Sequence, residues 1–343
     1  MAIGLLWEAP GRGPSPGRRH HAPRRDRIGS IPWRRALGLA ALAALACLGG
    51  CVLLPAAEPG THYPPGLPTR AELGAVPFYA QDQYQCGPAA LATALTYAGV
   101  PRAPQQLVDQ VYVPQREGSL QAEMLAATRR AGLIAYPLPA DLGAILGQIA
   151  GGHPVIVLQN LLFDLWPRWH YAVVVGYDLA SHEMILRSGT ERRRIVAERD
   201  FERSWTKAGR WAFVAVPAGQ LPADATEDEY VAAAATLERV APEDARNAYL
   251  LALVHWPDDL VARIGLGNIA YGRRLLSEAE EQYRRATEAH PDSGDAWNNL
   301  AQVLHEQGRD APAVLAAQRA LAIGGPRQAS YRSTLEAIQA NPK

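Results

Sequence analysis

The stretch Val76-Pro77-Phe78-Tyr79-Ala80-Gln81-Asp82-Gln83-Tyr84-Gln85-Cys86-Gly87-Pro88-Ala89-Ala90-Leu91 sets a cysteine at the mouth of a strong helix former, residues 89–98. Helix N-termini present unpaired amides and a partial positive charge, which lower a thiol's pKa and ready it for attack. Gly87 permits close approach of another chain segment, and Pro88 has the fixed φ of a first helical turn. A structural cysteine belongs mid-helix on the apolar face, so Cys86 reads as a nucleophile. Such a thiol needs an imidazole to take its proton.

Histidines that could serve are few. His20, His21 and His62 fall in an N-terminal leader or tether, and His255, His290 and His305 in a helical C-terminal half. Of His153, His170 and His182, His170 is favoured. It directly precedes Tyr171-Ala172-Val173-Val174-Val175-Gly176-Tyr177, a continuous apolar run suited to a central strand.

Around these residues the pattern alternates helices with strand-like runs. It predicts helices over 87–98, 119–131 and 141–149, and strands over 133–138, 155–159, 171–177, 183–187 and 211–216. Helices come mostly first and strands later, an α+β arrangement.

Upstream, residues 1–35 hold eight arginines against Glu8 and Asp26, and an apolar run over 36–48 ends at Gly49-Gly50-Cys51. That order is the order of a secretory signal peptide, and about 13 apolar residues are too few to span a bilayer comfortably. Leu48-Gly49-Gly50-Cys51 resembles the bacterial lipobox. It implies that Cys51 is lipidated and becomes the first mature residue; Val52 after it favours the outer membrane. The basic leader is long, which also fits a translation start downstream of Met1. Residues 52–75, rich in Pro, Gly and Ala, read as a tether.

Beyond a Pro/Ala linker at 217–224 nothing reads as strand. Pro257 and Pro291 lie 34 residues apart, each followed by Asp. A 34-residue unit from Leu260 carries Gly267, Ala279, Tyr283, Ala286 and Pro291. The next, from Gly294, carries Trp297, Ala301, Ala313 and Ala320, and a weaker unit precedes both. These are the positions of the tetratricopeptide (TPR) signature. Ser277 with Glu280, and Thr226 with Glu229, read as capping boxes. This half holds 12 basic and 18 acidic residues.

Composition excludes other classes. An apolar share of 48% rules out wholesale disorder. No apolar stretch reaches the length of a multi-span membrane protein, and three cysteines make neither a disulfide framework nor a zinc cluster. The arginines are scattered and balanced by acids, which argues against nucleic acid as a partner. No cofactor or metal is expected.

The Gln81…Cys86-Gly87-Pro88-Ala89-Ala90-Leu91 segment, with His170–Tyr177 downstream, resembles the C39-type peptidases of the papain-like cysteine protease clan. Together with the leader and repeats, the chain resembles bacterial C39-family lipoproteins. The resemblance implies Cys86 as nucleophile, His170 as general base and a glutamine as oxyanion donor. Gln81 fits the last role best, with Gln83 and Gln85 behind it. The family expects an Asp on the strand after His170, whereas this chain has Ser188 nearest that position; Asp178 and Asn160 are alternatives.

The expected organisation is a lipoprotein signal peptide at 1–50, a flexible tether at 51–73, a C39-like α+β peptidase domain at 74–217 and an all-α TPR solenoid at 218–343. Three functions fit. The first is a lipid-anchored cysteine peptidase of the outer membrane, facing the periplasm, acting on a peptide or protein recruited by the repeats. The second is an inert papain-like fold serving with its repeats as an envelope scaffold. The third is a cell-wall amidase of the NlpC/P60 type, a family that usually has Ser after the cysteine where Gly87 stands here.

Overall fold

The computed structural model describes residues 63–80 and 85–343. The signal peptide, Cys51, Gln81 and Gln83 lie outside the described residues.

The chain enters at β1 (Arg70–Glu72) and forms α1 (Cys86–Tyr97), α2 (Gln105–Val111), a small hairpin of β2 (Tyr112–Val113) and β3 (Gly118–Ser119), and α3 (Gln121–Arg130). Then come β4 (Leu133–Pro137), α4 (Leu142–Ala150), β5 (Val155–Asn160), β6 (Trp169–Asp178), β7 (Glu183–Ser188), β8 (Glu191–Ala197), α5 (Glu198–Thr206) and β9 (Ala212–Pro217). The main sheet is antiparallel in the order β4-β9-β5-β6-β7-β8. Strand β1 pairs with the far end of β6, Arg70 opposite Asp178. Arg70–Glu72 is therefore sheet, although the reading of residues 51–73 made them flexible tether. Glu72 is fixed there by Arg193, Nε to Oε1 at 2.8 Å.

Both faces of the sheet are covered, which explains the unbroken apolar runs of β5 and β6. Side chains alternate between two cores. Ile156, Tyr171, Val173 and Val175 face α1, packing with Leu91 and Leu95. Val155, Val157, Ala172 and Val174 face the opposite way, towards α4 and α5. Burying a side chain such as Leu91 contributes about 1.5–3 kcal/mol. The alanines of α1 keep that helix thin enough to sit deep in the first core.

Besides β1, the elements absent from the sequence expectation are α2, the β2–β3 hairpin, β8 and α5. Strand β8 is Glu-Arg-Arg-Arg-Ile-Val-Ala, largely exposed at the sheet edge, where charges discourage further pairing. Helix α5 turns Phe201 and Trp205 inward within a charged segment.

The C-terminal half is helical throughout: α6 (Glu227–Ala235), α7 (Pro242–His255), α8 (Leu260–Gly272), α9 (Leu276–Ala289), α10 (Gly294–Glu306), α11 (Asp310–Ile323) and α12 (Gln328–Ala340). These make three helix pairs and a closing helix. Gly267 lies against Tyr283, and a Cβ at 267 would overlap that ring, so the small residue of the repeat signature admits the aromatic one. The Ser277/Glu280 capping box does not form. Helix α9 begins at Leu276 without a side-chain cap, and Glu280 pairs instead with Arg284 and Arg309. At Thr226 the hydroxyl donates to Glu229 Oε2 at 2.9 Å and caps no backbone amide.

The repeats and the sheet share one core. Tyr230, Ala234, Tyr249 and Leu266 belong to the same apolar cluster as Ile134, Ile145 and Val214. Tyr136 of β4 donates to Glu229 Oε2 at 2.7 Å, and Gln148 of α4 clamps Ala223, donating to its carbonyl at 2.7 Å and accepting from its amide at 3.1 Å. A chain ending at residue 217 exposes this cluster. It is expected to bind an apolar dye such as ANS and to melt at least about 5 °C below residues 63–343, since 1 kcal/mol shifts a domain of this size by roughly 2–4 °C. Equal melting temperatures in calorimetry would show the shared core to be energetically idle.

Candidate active site

Helix α1 begins at Cys86 with Gln85 as its N-cap, and no side chain caps it. The first-turn amides are thus left open beside the sulfur. The thiol meets the backbone amides of Tyr171, Gly87 and Cys86 itself. Tyr171 directly follows His170, so the start of α1 and the start of β6 are brought together. Cys86 and His170 line one cavity of about 1140 Å³, with Ser119, Leu158, Trp166 and Arg168 also on its wall.

Gly87 makes this meeting possible. A Cβ there would overlap Oγ and Cβ of Ser119, whose backbone carbonyl accepts from the Tyr171 hydroxyl at 3.1 Å. The Ser119 hydroxyl is itself buried and has no hydrogen-bond partner among the described residues.

The imidazole is held by Ser188, Nε2 to Oγ at 2.8 Å. Ser188 is buried at the end of β7. The other two alternatives do different work. Asn160 Oδ1 accepts from the amides of Leu162 and Arg168 and folds the 161–168 loop. Asp178 sits at the opposite end of β6 and accepts from Ala180 and Ser181 in the turn. His153 and His182 also lie at that opposite end, where His182 meets Glu198 and Tyr63.

Electrostatics depart from the sequence expectation at Cys86. A helix N-terminus should lower the thiol's pKa, yet burial raises it above its ordinary value and outweighs the three amides. His170 moves in the complementary direction. Burial, then the charges of Arg194 and Arg168, bring it down to about 4. Both shifts favour the uncharged forms, a thiol and a neutral imidazole.

The 161–168 loop went unread in the sequence, although Trp166-Pro167-Arg168-Trp169 directly precedes His170. Leu161 N donates to the Arg168 carbonyl at 3.0 Å, and Lys207 Nζ to the Leu162 carbonyl at 3.0 Å. The loop carries Trp166 and Arg168 to the cavity. Of the three glutamines considered, Gln85 is described, at the N-cap of α1.

Residues 74–213 match the model of the Peptidase_C39 like family. Residues 264–329 match a tetratricopeptide repeat model. No curated protein matches the chain. Among solved structures, a protein described as a C39-like peptidase from Bacillus anthracis aligns at 18% identity with a TM-score of 0.37, over 43% of this chain and 97% of its own. The chain thus combines a C39-like α+β domain with a TPR region. Cys86 and His170 both fall inside the C39-like match.

Gly87 in the C39-like domain yields a direct test. Gly87→Ala should destabilise the protein by about 1–3 kcal/mol, the usual cost of overpacking a filled site. The double variant Gly87→Ala/Ser119→Gly removes the overlapping side chain and should recover part of that loss in denaturant titration. Strictly additive effects would show that the two positions do not touch.

Proposed function

We propose that the C39-like domain is a cysteine peptidase whose nucleophile is Cys86 and whose general base is His170. The observation that carries this reading is the meeting of Cys86 with the His170–Tyr171 backbone in one cavity. In the tautomer whose Nε2–H donates to Ser188, 2.8 Å away, Nδ1 is the proton acceptor. As the thiol attacks the scissile carbonyl, its proton passes to Nδ1, and a tetrahedral adduct forms. The imidazolium then protonates the departing amine, giving a thioester that water hydrolyses with the same imidazole as base. Gln81, with the first-turn amides of α1, serves the oxyanion; such a donor is worth about 3 kcal/mol in the transition state.

Ser188 acts as a neutral orienter in place of a carboxylate. It fixes the tautomer, as a neutral asparagine does in papain-like enzymes, but adds no charge to stabilise the imidazolium. The resting pair is therefore neutral, and catalysis is general-base rather than by a preformed ion pair. The TPR region recruits the protein or peptide substrate, and Cys51 anchors the chain by lipid to the outer membrane, facing the periplasm. The same neutral pair also favours the second reading, an inert papain-like fold acting with its repeats as a scaffold.

Kinetics on a peptide library separate the two. Cys86→Ala and His170→Ala should each lower kcat/KM by at least about 10³-fold. Because the His170 pKa is lowered, its basic form persists to low pH, so the acid limb of kcat/KM should lie near 4. Ser188→Asp should move that limb upward. If wild type cleaves nothing, and Cys86 reacts with iodoacetamide only after denaturation, the scaffold reading stands.

The anchor has its own test. The mature protein should begin at Cys51 and partition into detergent, since several acyl chains at about 0.8 kcal/mol per CH₂ hold a protein to a bilayer. Cys51→Ser protein that remains acylated and membrane-bound would refute the lipidation.

A further inference from the structure

Behind Ser188, beside the cavity of Cys86 and sharing Leu162 with it, lies a second cavity of about 350 Å³. Its walls come from the end of β5, the end of β7, β8 and α5. Gln159 and Ser188 line it with Arg194, Arg203, Lys207 and a single acid, Asp200. Arg203 pairs with Asp200 at 3.1 Å, and Arg194 with the exposed Glu191 at 3.3 Å. Among the described residues Lys207 Nζ bonds only to a carbonyl, that of Leu162. Three cations around one small cavity with one acid leave it short of negative charge.

Ser188 links this cavity to the candidate active site. When His170 Nε2–H donates to Ser188 Oγ, the serine's own O–H still needs an acceptor. It has no other hydrogen-bond partner among the described residues, and burial keeps bulk water from supplying one freely.

We propose that this cavity binds a small oxyanion, a carboxylate or a phosphate, which accepts the Ser188 hydroxyl proton and pairs with Arg194 and Lys207. Bound there, the anion supplies the negative charge that the serine lacks and makes His170 a stronger base. No covalent bond changes. The relay runs from His170 Nε2–H to Ser188 Oγ and from Ser188 O–H to the anion. The inference rests on the peptidase reading only for its consequence to activity, not for the binding itself.

The charged and titratable groups around His170 are Arg168 from the loop before its strand, Arg194 from β8 and Cys86 from α1, with Tyr171 beside it and Arg116 and Glu117 also on the wall of the Cys86 cavity. Across the second cavity stand Asp200 and Arg203 of α5 and Lys207 just after it. Neutralising Arg194 removes one of the two charges that hold the imidazole uncharged.

The test follows the His170 ring proton by NMR from pH 3.5 to 8 in the full chain, assigned with His170→Ala. Sodium formate and sodium phosphate are compared with sodium chloride at equal ionic strength. Either oxyanion at saturation should raise the midpoint by about one pH unit, a tenfold change in proton affinity. Lys207→Met should weaken the apparent anion affinity at least fivefold, and Ser188→Asp should start from a raised midpoint that neither oxyanion moves further. A response to formate alone or to phosphate alone supports the site and assigns its shape. Identical midpoints in all three salts overturn the proposal, as does a Lys207→Met protein that responds like wild type. Because the readout is a protonation, a shifted midpoint in a protein that cleaves nothing keeps the anion site and removes the peptidase reading.

Discussion

The seating of the first turn of α1 against β6 is the constraint on which the rest of the site depends. Cys86 must reach the amide of Tyr171, and Gly87 must pass Ser119 with no room for a side chain. Nothing in the helix ladder enforces that contact. The positions of both partners are set by the core beneath them, where Leu91 and Leu95 pack on Val173 and Val175. One further tie acts from the side. The buried Arg187 of β7, next to Ser188, donates to the Val76 carbonyl at 3.3 Å and to the Arg192 carbonyl at 2.6 Å. The strand end that holds the imidazole is thereby bound to the segment that leads to the thiol.

The opposite face of the sheet does different work. Its core continues into the first helices of the C-terminal half, so that α6 and α7 pack in one cluster with β4 and α4. A linker rich in Pro and Ala suggests independent domains, and the Pro217–Asp224 segment reads that way in sequence. Yet Gln148 holds Ala223 by two hydrogen bonds, and the apolar side chains on either side of the segment meet. The TPR region is therefore part of the platform that carries the C39-like domain. A substrate held by it would be presented at a distance fixed by packing, with no linker entropy to overcome.

Much of this was legible because two kinds of pattern are local. The paired helices of the repeats show through small and aromatic residues at fixed intervals, and the central strands through unbroken apolar runs. What stayed hidden depends on residues far apart in the chain. Strand β8 has no apolar face to announce it, since the sheet edge leaves Arg192, Arg193 and Arg194 in solvent. Strand β1 is three residues long and exists only because β6 offers an open edge beyond Val174, where β5 ends. At Glu280 the local capping signal lost to Arg309 of a neighbouring helix. Spacing puts Ser188 nearest the expected position with Asp178 and Asn160 as alternatives, and the fold separates them by placing Ser188 at the imidazole.

Burial is also why the thiol behaves unlike an exposed helix-terminal cysteine. The amides at the start of α1 favour a thiolate, but desolvation acts on the full charge and prevails. The same desolvation disfavours an imidazolium, and the charges of Arg194 and Arg168 act in the same direction. A neutral thiol is a slow target for oxidants and alkylating agents, because the thiolate is the reactive form. In the proposed peptidase mechanism, reactivity would be created at the moment of attack, by proton transfer to His170 as charge moves onto the substrate oxygen. That transfer separates charge within a buried cavity, which is costly unless each new charge meets a ready partner. The amides beside Cys86 can meet the oxyanion. Among the described residues the imidazole is held by a serine hydroxyl, so in that mechanism the environment behind Ser188, not the helix terminus, would limit how strong a base His170 is.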